Sequence, residues 1–365
     1  MKKKLLIYGA GAIGRGYIPW LFSSNKYMYY YVETNKSLCA DLKQKKGFTT
    51  FMTVRNGYKS LTCQVGDCFM LGEENPAEYD GIITAVGPRS VLSLKDIFTV
   101  NHCPIILFEN DITLVDTLRK LTGNKRIYFG IPDVITSNTA PKQLLDKDPL
   151  SIVTEDGKCF VDSDAKELGG FVKYVDQDEL IKQWMAKLYI HNTAHCVAAY
   201  LSAKCDKKYL HEGMQNNMII TVVKGVMEEM QKMLMIRYKI EQKFLQMYSE
   251  KELLRFSNVL LYDPIIRVAR EPFRKLEPNN RLIGAAQLAL CCGIVPENLI
   301  IGIFSAFLYD KVNDPDNNIK YLVNALSPEN FLQLIIRLDP SEALYMLILE
   351  RWDSIMTKLS YLPNG

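Results

Sequence analysis

The chain has 365 residues, 48% of them apolar and 23% charged, an ordinary globular composition with enough apolar mass for two domains. Its 44 basic and 41 acidic residues leave a net charge of +3, which argues against nucleic acid as a partner, so any anion site must be a local cluster. Nine cysteines, an odd number without CxxC pairs, read as reduced thiols in a cytoplasmic protein and not as a disulfide framework or zinc site.

Lys2-Lys3-Lys4 precedes an apolar run, but Gly9, Arg15 and Gly16 interrupt it before a signal-peptide core can form. No stretch approaches the roughly 20 apolar residues of a membrane span, so no membrane partner is expected. Leu5-Leu6-Ile7-Tyr8 predicts a strand, and Gly9-Ala10-Gly11-Ala12-Ile13-Gly14 follows with the spacing of a dinucleotide-binding turn. In that reading Gly9 makes the turn, Gly11 admits a pyrophosphate close to the backbone, and Gly14 lets the next helix pack on the sheet. The helix N-terminus then faces the phosphates. Pro19 predicts a kink in that helix. Residues 29–32 read as a second strand ending at Glu33, about 20 residues beyond the glycines, where a carboxylate accepts hydrogen bonds from the adenosine ribose. An acid there repels a 2′-phosphate and favours NAD over NADP; the competing reading is a surface acid after an edge strand.

Residues 47–75 alternate polar and apolar and predict short strands. Residues 80–88 read as a buried strand opening into a small-residue loop, which brings Thr84, Val86 and Gly87 to the edge where a doubly wound sheet holds its ligand. Residues 104–108 predict another strand, delivering Glu109 and Asn110, and residues 127–131 one more, ending near Asp133. Residues 151–175 suggest a β-rich excursion. Together these predict an α/β Rossmann-type doubly wound domain over 1–177. From Asp178 onward long amphipathic patterns predict a mostly α-helical domain over 178–365.

Within the second half, Lys187, Asn192 and His195 lie inside an arc of about 140° if the stretch is an α-helix at roughly 100° per residue. Burying three polar groups without partners is costly. Two readings stay open: a polar cleft, or a surface lysine with a hydrogen-bonded asparagine and histidine in the core. His191 reads as a packed or surface histidine, and His102 and His211 have no partners that suggest a metal. Arg267, Arg270, Arg274 and Lys275, with Arg281 beyond, form a basic run. If the run is helical, residues 267, 270 and 274 make one positive face suited to a phosphate monoester, unless Pro272 breaks it; a solvated stripe is the alternative. Asp314-Pro315-Asp316 reads as a turn, and the tail to Gly365 as helical packing surface.

GAGAIGRGY, Glu33-Thr34-Asn35, Thr84-Ala85-Val86-Gly87-Pro88, Glu109-Asn110, the K-x4-N-x2-H set at Lys187, Asn192 and His195, and Arg270-Glu271-Pro272-Phe273-Arg274-Lys275-Leu276 occur in a telling order. In that order and spacing the chain resembles the polyol-specific long-chain dehydrogenase/reductase family, in its mannitol-1-phosphate 5-dehydrogenase branch. The resemblance implies metal-independent hydride transfer in a cleft between a Rossmann-type and a helical domain. It implies NAD as cofactor, with Gly9, Ala10, Gly11, Ala12, Ile13, Gly14, Glu33, Thr84, Val86 and Gly87 around it. It makes Lys187 the general acid/base, which requires desolvation or a nearby cation to lower its pKa. His195 would orient the substrate, and Asn192 and Asn110 would donate to the oxygen on the reacting carbon, at ~3 kcal/mol apiece in a dry site. Asp133, Arg267, Arg270, Arg274 and Lys275 fall on the substrate side. The implied reaction interconverts mannitol 1-phosphate and fructose 6-phosphate in a monomer or homodimer. A dehydrogenase of an unphosphorylated polyol or a hexuronate, and a noncatalytic NAD-binding sensor, are the alternatives. Two positions depart from the family pattern: Ala12 replaces the asparagine of GAGNIGRG, and Val134 the arginine of Val-Asp-Arg-Ile.

Overall fold

Continuous apolar runs in the first half become the interior of a parallel sheet. The computed structural model describes residues 2–137, 139–278, 280–311, 314 and 316–361; Pro315 of the expected turn and the last four residues of the tail lie outside them. The chain divides into two units, Met1–Trp184 with Leu260–Tyr262, and Met185–Val259 with Asp263–Gly365.

In the first unit, β1 (Lys3–Tyr8), β2 (Tyr27–Val32), β3 (Gly47–Val54), β4 (Gly57–Phe69), β5 (Gly81–Thr84), β6 (Ile105–Leu107), β7 (Ile127–Asp133), β8 (Ile152–Thr154), β9 (Lys158–Asp162) and β10 (Lys173–Val175) form one sheet. Its order is β10-β9-β7-β6-β5-β1-β2-β4-β3-β8. The stretch β7-β6-β5-β1-β2-β4 is parallel throughout and has the doubly wound order expected of a Rossmann domain. Leu5, Leu6, Ile7, Ile82, Ile83, Ile105, Ile106 and Leu107 are fully buried, which is why these strands read as unbroken apolar runs and not as alternating ones. Each such side chain contributes roughly 1.5–3 kcal/mol of burial free energy.

The alternating residues 47–75 form a single long hairpin, paired from Gly47↔Gln64 to Val54↔Gly57. The far end of β4 turns to pair in parallel with β2 from Val65 to Phe69, across a register shift at Tyr29/Tyr30. One long strand thus takes the place of several short ones. Residues 151–175 supply β8, β9 and β10, which extend the sheet at both ends. Pro19 splits the first helix into Ala12–Gly16 and Ile18–Leu21 and sits in the opening turn of the second piece, where its missing N–H is not needed. The strand order reverses between β1 and β5, so the loops after Tyr8 and Thr84 flank the crevice that such sheets use for ligands.

In the second unit the described elements are helices. Thr193–Lys204 is buried from Thr193 to Ala203 and apolar on every side, the pattern of a core helix. A Cβ at Gly302, in the helix Glu297–Phe307, would lie 2.3 Å from Val197 Cγ2, so glycine there lets the two helices approach closely. Leu344, Ile348, Trp352, Ile355 and Leu359 form the buried stripe of Ala343–Ser360, with Trp352 edge-on to Phe304 at 5.2 Å. The tail is packing surface, as its periodicity suggested.

Candidate active site

The glycine turn is shaped by its own backbone. Gly9 has φ +94°, and a Cβ there would sit 2.6 Å from the Ala85 carbonyl oxygen; a Cβ on Gly14 would come within 1.9 Å of the Gly9 oxygen. Neither position tolerates a side chain. A Cβ on exposed Gly11 would meet no protein atom within 4 Å, leaving the outer face of the turn open to a ligand. Ala12 and Ile13, both half-buried, begin the helix Ala12–Gly16.

Glu33 ties this turn to the end of β2. Its Oε2 accepts from Ala10 N at 2.9 Å, and its Oε1 from Thr34 N at 2.8 Å and Asn35 N at 2.9 Å. Asn35 in turn caps the helix Lys36–Lys45 by accepting from Leu38 N at 3.1 Å. A carboxylate has about four lone-pair sites, so Oε2 keeps one for a ribose hydroxyl. Arg15 points inward and donates to the Ala10 and Leu150 carbonyls, both at 2.5 Å, which braces the turn from beneath.

The loop after β5 is held the same way. The buried Glu109 carboxylate accepts from Val86 N at 3.0 Å and Gly87 N at 2.7 Å. Burial pushes its carboxyl pKa up despite those two donors. Thr84 is buried at the strand end, Gly87 adopts φ +96°, and Asn110 stands exposed one residue past Glu109. Asp133 is buried at the end of β7, followed by buried Val134 in place of an arginine.

In the second unit, residues Lys187–Asn192 are not α-helical. They form a π-helical segment before the α-helix Thr193–Lys204. The arc of about 140° expected between Lys187 and Asn192 on an α-helix is therefore corrected. An i→i+5 repeat stacks residues five apart one above the other, and Lys187 and Asn192 are five apart. His195 follows Asn192 one α-turn later. The Thr193 hydroxyl lies 3.2 Å from the Leu188 carbonyl and 2.9 Å from that of Arg281, satisfying groups the looser ladder frees.

Lys187, Asn192 and His195 are all buried. Asn192 Nδ2 has no hydrogen-bond partner among the described residues. His195 Nε2 lies 2.9 Å from Asp263 Oδ2, and its ring stacks on Phe256 at 4.9 Å and 12°. His191 is buried too, with Nδ1 bonded to Glu252 Oε2 and its pKa pushed down to about 4 by burial. Of the two readings of His191, packing in the core is the one observed.

The basic run does not form one helix face. Ile265–Ala269 ends before Arg270, Glu271 adopts φ +56°, and Pro272 opens a separate turn, Pro272–Lys275. Proline cannot continue the preceding hydrogen-bond ladder, so residues 267, 270 and 274 are not successive turns of one helix. Arg267 pairs with Asp263, Nε at 3.0 Å and Nη2 at 2.5 Å from Oδ1. Arg274 Nε pairs with Glu271 at 2.6 Å, and Arg270 is exposed and makes no ion pair among the described residues. Lys275 is buried and donates to the Arg270 carbonyl. Burial, with Arg281 and Arg274 nearby, pushes its pKa down to about 7.

Three features escaped the sequence reading. Asp263 as the partner of His195 carried a faint signal, an Asp-Pro pair with arginine four residues after the acid. Glu252 had none, being 61 residues from His191. The π segment was signalled by the five-residue Lys-to-Asn interval, which fits an α-helix poorly.

Residues 180–329 match the family model described as the mannitol dehydrogenase C-terminal domain. A mannitol-1-phosphate 5-dehydrogenase of Clostridium acetobutylicum is 30% identical over 345 residues, covering 85% of this chain and 88% of the relative. That of Geobacillus stearothermophilus is 29% identical, covering 95% and 98%. Among solved structures, a Pseudomonas fluorescens mannitol 2-dehydrogenase in ternary complex with NAD and D-mannitol aligns with a TM-score of 0.78 at 14% identity, over 99% of this chain and 94% of the other. A D-sorbitol dehydrogenase aligns with a TM-score of 0.67, also at 14% identity, over 100% and 95%. These two likenesses show the fold. No described helix is long and apolar enough to cross a membrane.

Proposed function

Because the chain belongs to the mannitol dehydrogenase family, we propose that it is an NAD-dependent polyol-phosphate dehydrogenase interconverting mannitol 1-phosphate and fructose 6-phosphate. The observation that carries the reading is Asn192 Nδ2, a buried donor without a partner among the described residues, stacked five residues from buried Lys187 on an i→i+5 helix. A protein interior leaves such a donor unmet at a cost of about 1–3 kcal/mol, which a developing alkoxide would offset.

The glycine turn, open beside Gly11 and walled by a carboxylate with a lone pair to spare, fits a dinucleotide with free ribose hydroxyls. Gly9, Ala10, Gly11, Ala12, Ile13, Gly14 and Glu33 would hold it with Thr84, Val86 and Gly87. NAD(H), when bound, supplies or accepts the hydride. Lys187 gives a proton to the carbonyl oxygen in reduction and removes it from the carbinol in oxidation. Asn192 donates to the same oxygen as charge develops, and His195 orients the substrate hydroxyls; Asn110 and Asp133 are assigned substrate contacts from the first unit. In this account Lys187 and Asn192 handle the proton and the charge, so the reaction is metal-independent. Arg270, Arg274 and Lys275 hold the phosphate, Lys275 being a buried ammonium site with neighbouring cations and therefore best stabilised by an anion. Arg267 is assigned away from the phosphate because Asp263 occupies it. The cofactor-binding part is assigned to 1–177 and the substrate part to 178–365.

The test is NADH oxidation by the purified protein with fructose 6-phosphate, fructose and fructuronate, repeated with NADPH. The expected result is turnover of fructose 6-phosphate with NADH at a kcat/KM about 10²-fold above fructose, the worth of one or two charge-assisted hydrogen bonds. Turnover of an unphosphorylated sugar alone would remove the phosphate assignment.

A further inference from the structure

His195 is held on three sides. Its ring lies flat on Phe256, its Nε2 meets Asp263 Oδ2 at 2.9 Å, and the ring of His191 stands 5.0 Å away. Asp263 is itself fixed. It precedes Pro264, which confines its backbone to the extended region, and its carbonyl accepts from Leu210 N at 3.0 Å. Its second oxygen receives two N–H groups of Arg267, one turn along the helix Ile265–Ala269.

Buried and paired with a guanidinium, the Asp263 side chain stays ionised. Burial works against the charge, but Arg267 and His195 more than offset it and hold the pKa at about 2. The imidazole moves the other way, since burial lowers its pKa against the pull of Asp263. A carboxylate is an acceptor only. A neutral imidazole facing it must carry its proton on Nε2, which leaves Nδ1 as an acceptor.

We propose that Asp263, held by Arg267, is a positioning residue that fixes His195 as the neutral Nε2–H tautomer, so that Nδ1 accepts a hydrogen bond from a substrate hydroxyl. The last step rests on the reading of His195 as a substrate-orienting group; the tautomer assignment does not. The same construction recurs beside it, where Glu252 meets His191 Nδ1 and is held in turn by Arg255 at 2.5 Å. There burial keeps the neighbouring imidazole neutral against the pull of Glu252, which spares His195 a like charge beside its ring.

Nitrogen-15 NMR of the histidine-labelled full chain tests this, since there are only four histidines and His195→Gln identifies the signal. Wild type at neutral pH should show His195 with a protonated Nε2 and a bare Nδ1. An Nδ1–H tautomer or an imidazolium overturns the proposal without any variant having to fold. In Asp263→Asn the amide can offer N–H to Nε2, so the signal should move to Nδ1–H and kcat/KM with fructose 6-phosphate should fall about 10²-fold, while the NADH dissociation constant stays within twofold. An unmoved tautomer in that variant overturns the proposal. A moved tautomer with unchanged kcat/KM sustains the Asp263 assignment and refutes instead the contact of His195 with substrate. Arg267→Gln leaves the carboxylate in place and should keep the proton on Nε2; a move to Nδ1–H in that variant overturns the proposal.

Discussion

Replacing Asn192 with alanine should separate catalysis from stability. The Nδ2 of Asn192 is buried with no partner among the described residues, an unmet donor worth about 1–3 kcal/mol of destabilisation. Alanine removes that donor and leaves a small cavity, whose cost is of similar size and opposite sign. Stability should therefore change by no more than ~1 kcal/mol, a shift of a few degrees in Tm for a chain this long. The rate should respond differently. A donor aimed at the reacting oxygen is worth about 3–4 kcal/mol in the transition state, so kcat with fructose 6-phosphate and NADH should fall about 10²- to 10³-fold. Steady-state kinetics, NADH titration by fluorescence and thermal melting on one preparation measure all three quantities. Asn192→Asp should be slower still, because a carboxylate opposes the developing charge. A kcat within threefold of wild type, or a loss of stability above ~3 kcal/mol, would refute the role and make Asn192 a structural residue.

Two further expectations concern cofactor and phosphate. Glu33→Ala removes the acceptor offered to the adenosine ribose, so the NADH dissociation constant should rise about tenfold with NADPH affinity equal or better, as measured by fluorescence titration; unchanged NADH affinity counts against the ribose contact. Lys275, depressed to about 7, is partly neutral near that pH and should take up a proton when a phosphate dianion binds. The sign follows: between about pH 7 and 9 the KM for fructose 6-phosphate should rise, by up to tenfold per unit, because the free protein loses the proton that the complex needs. Calorimetry in two buffers of different ionisation enthalpy should count that proton, and the rise should vanish in Lys275→Met; a flat KM in wild type would take Lys275 out of the phosphate site.

What was readable in the sequence is what depends on neighbours along the chain. Leu5 to Gly14 announced strand, turn and helix because the steric demands at Gly9 and Gly14 come from backbone a few residues away or from one adjacent strand end. The doubly wound order followed from buried apolar strands alternating with helices. Long-range pairing was harder to see. Nothing near His191 names Glu252, and nothing near His195 names Asp263, because one acid arrives from another helix and the other from the segment before Ile265–Ala269, through packing that pattern rules do not encode. The basic run was decided by a local feature the sequence displays: Pro272, with the left-handed Glu271, outweighs an otherwise helical spacing. At Lys187 to Asn192 the period was wrong, because an α-helix was assumed where the chain uses an i→i+5 ladder.

The central claim is hydride exchange between NADH and a phosphorylated sugar, governed by Lys187. The most direct measurement uses NADH carrying deuterium at the transferable position, fructose 6-phosphate, and mass spectrometry of the product. The account predicts a hexitol phosphate with one deuterium on carbon, formed by wild type and nearly abolished in Lys187→Ala although that variant still binds NADH. An unlabelled product, or labelled product formed at the wild-type rate by Lys187→Ala, would contradict it.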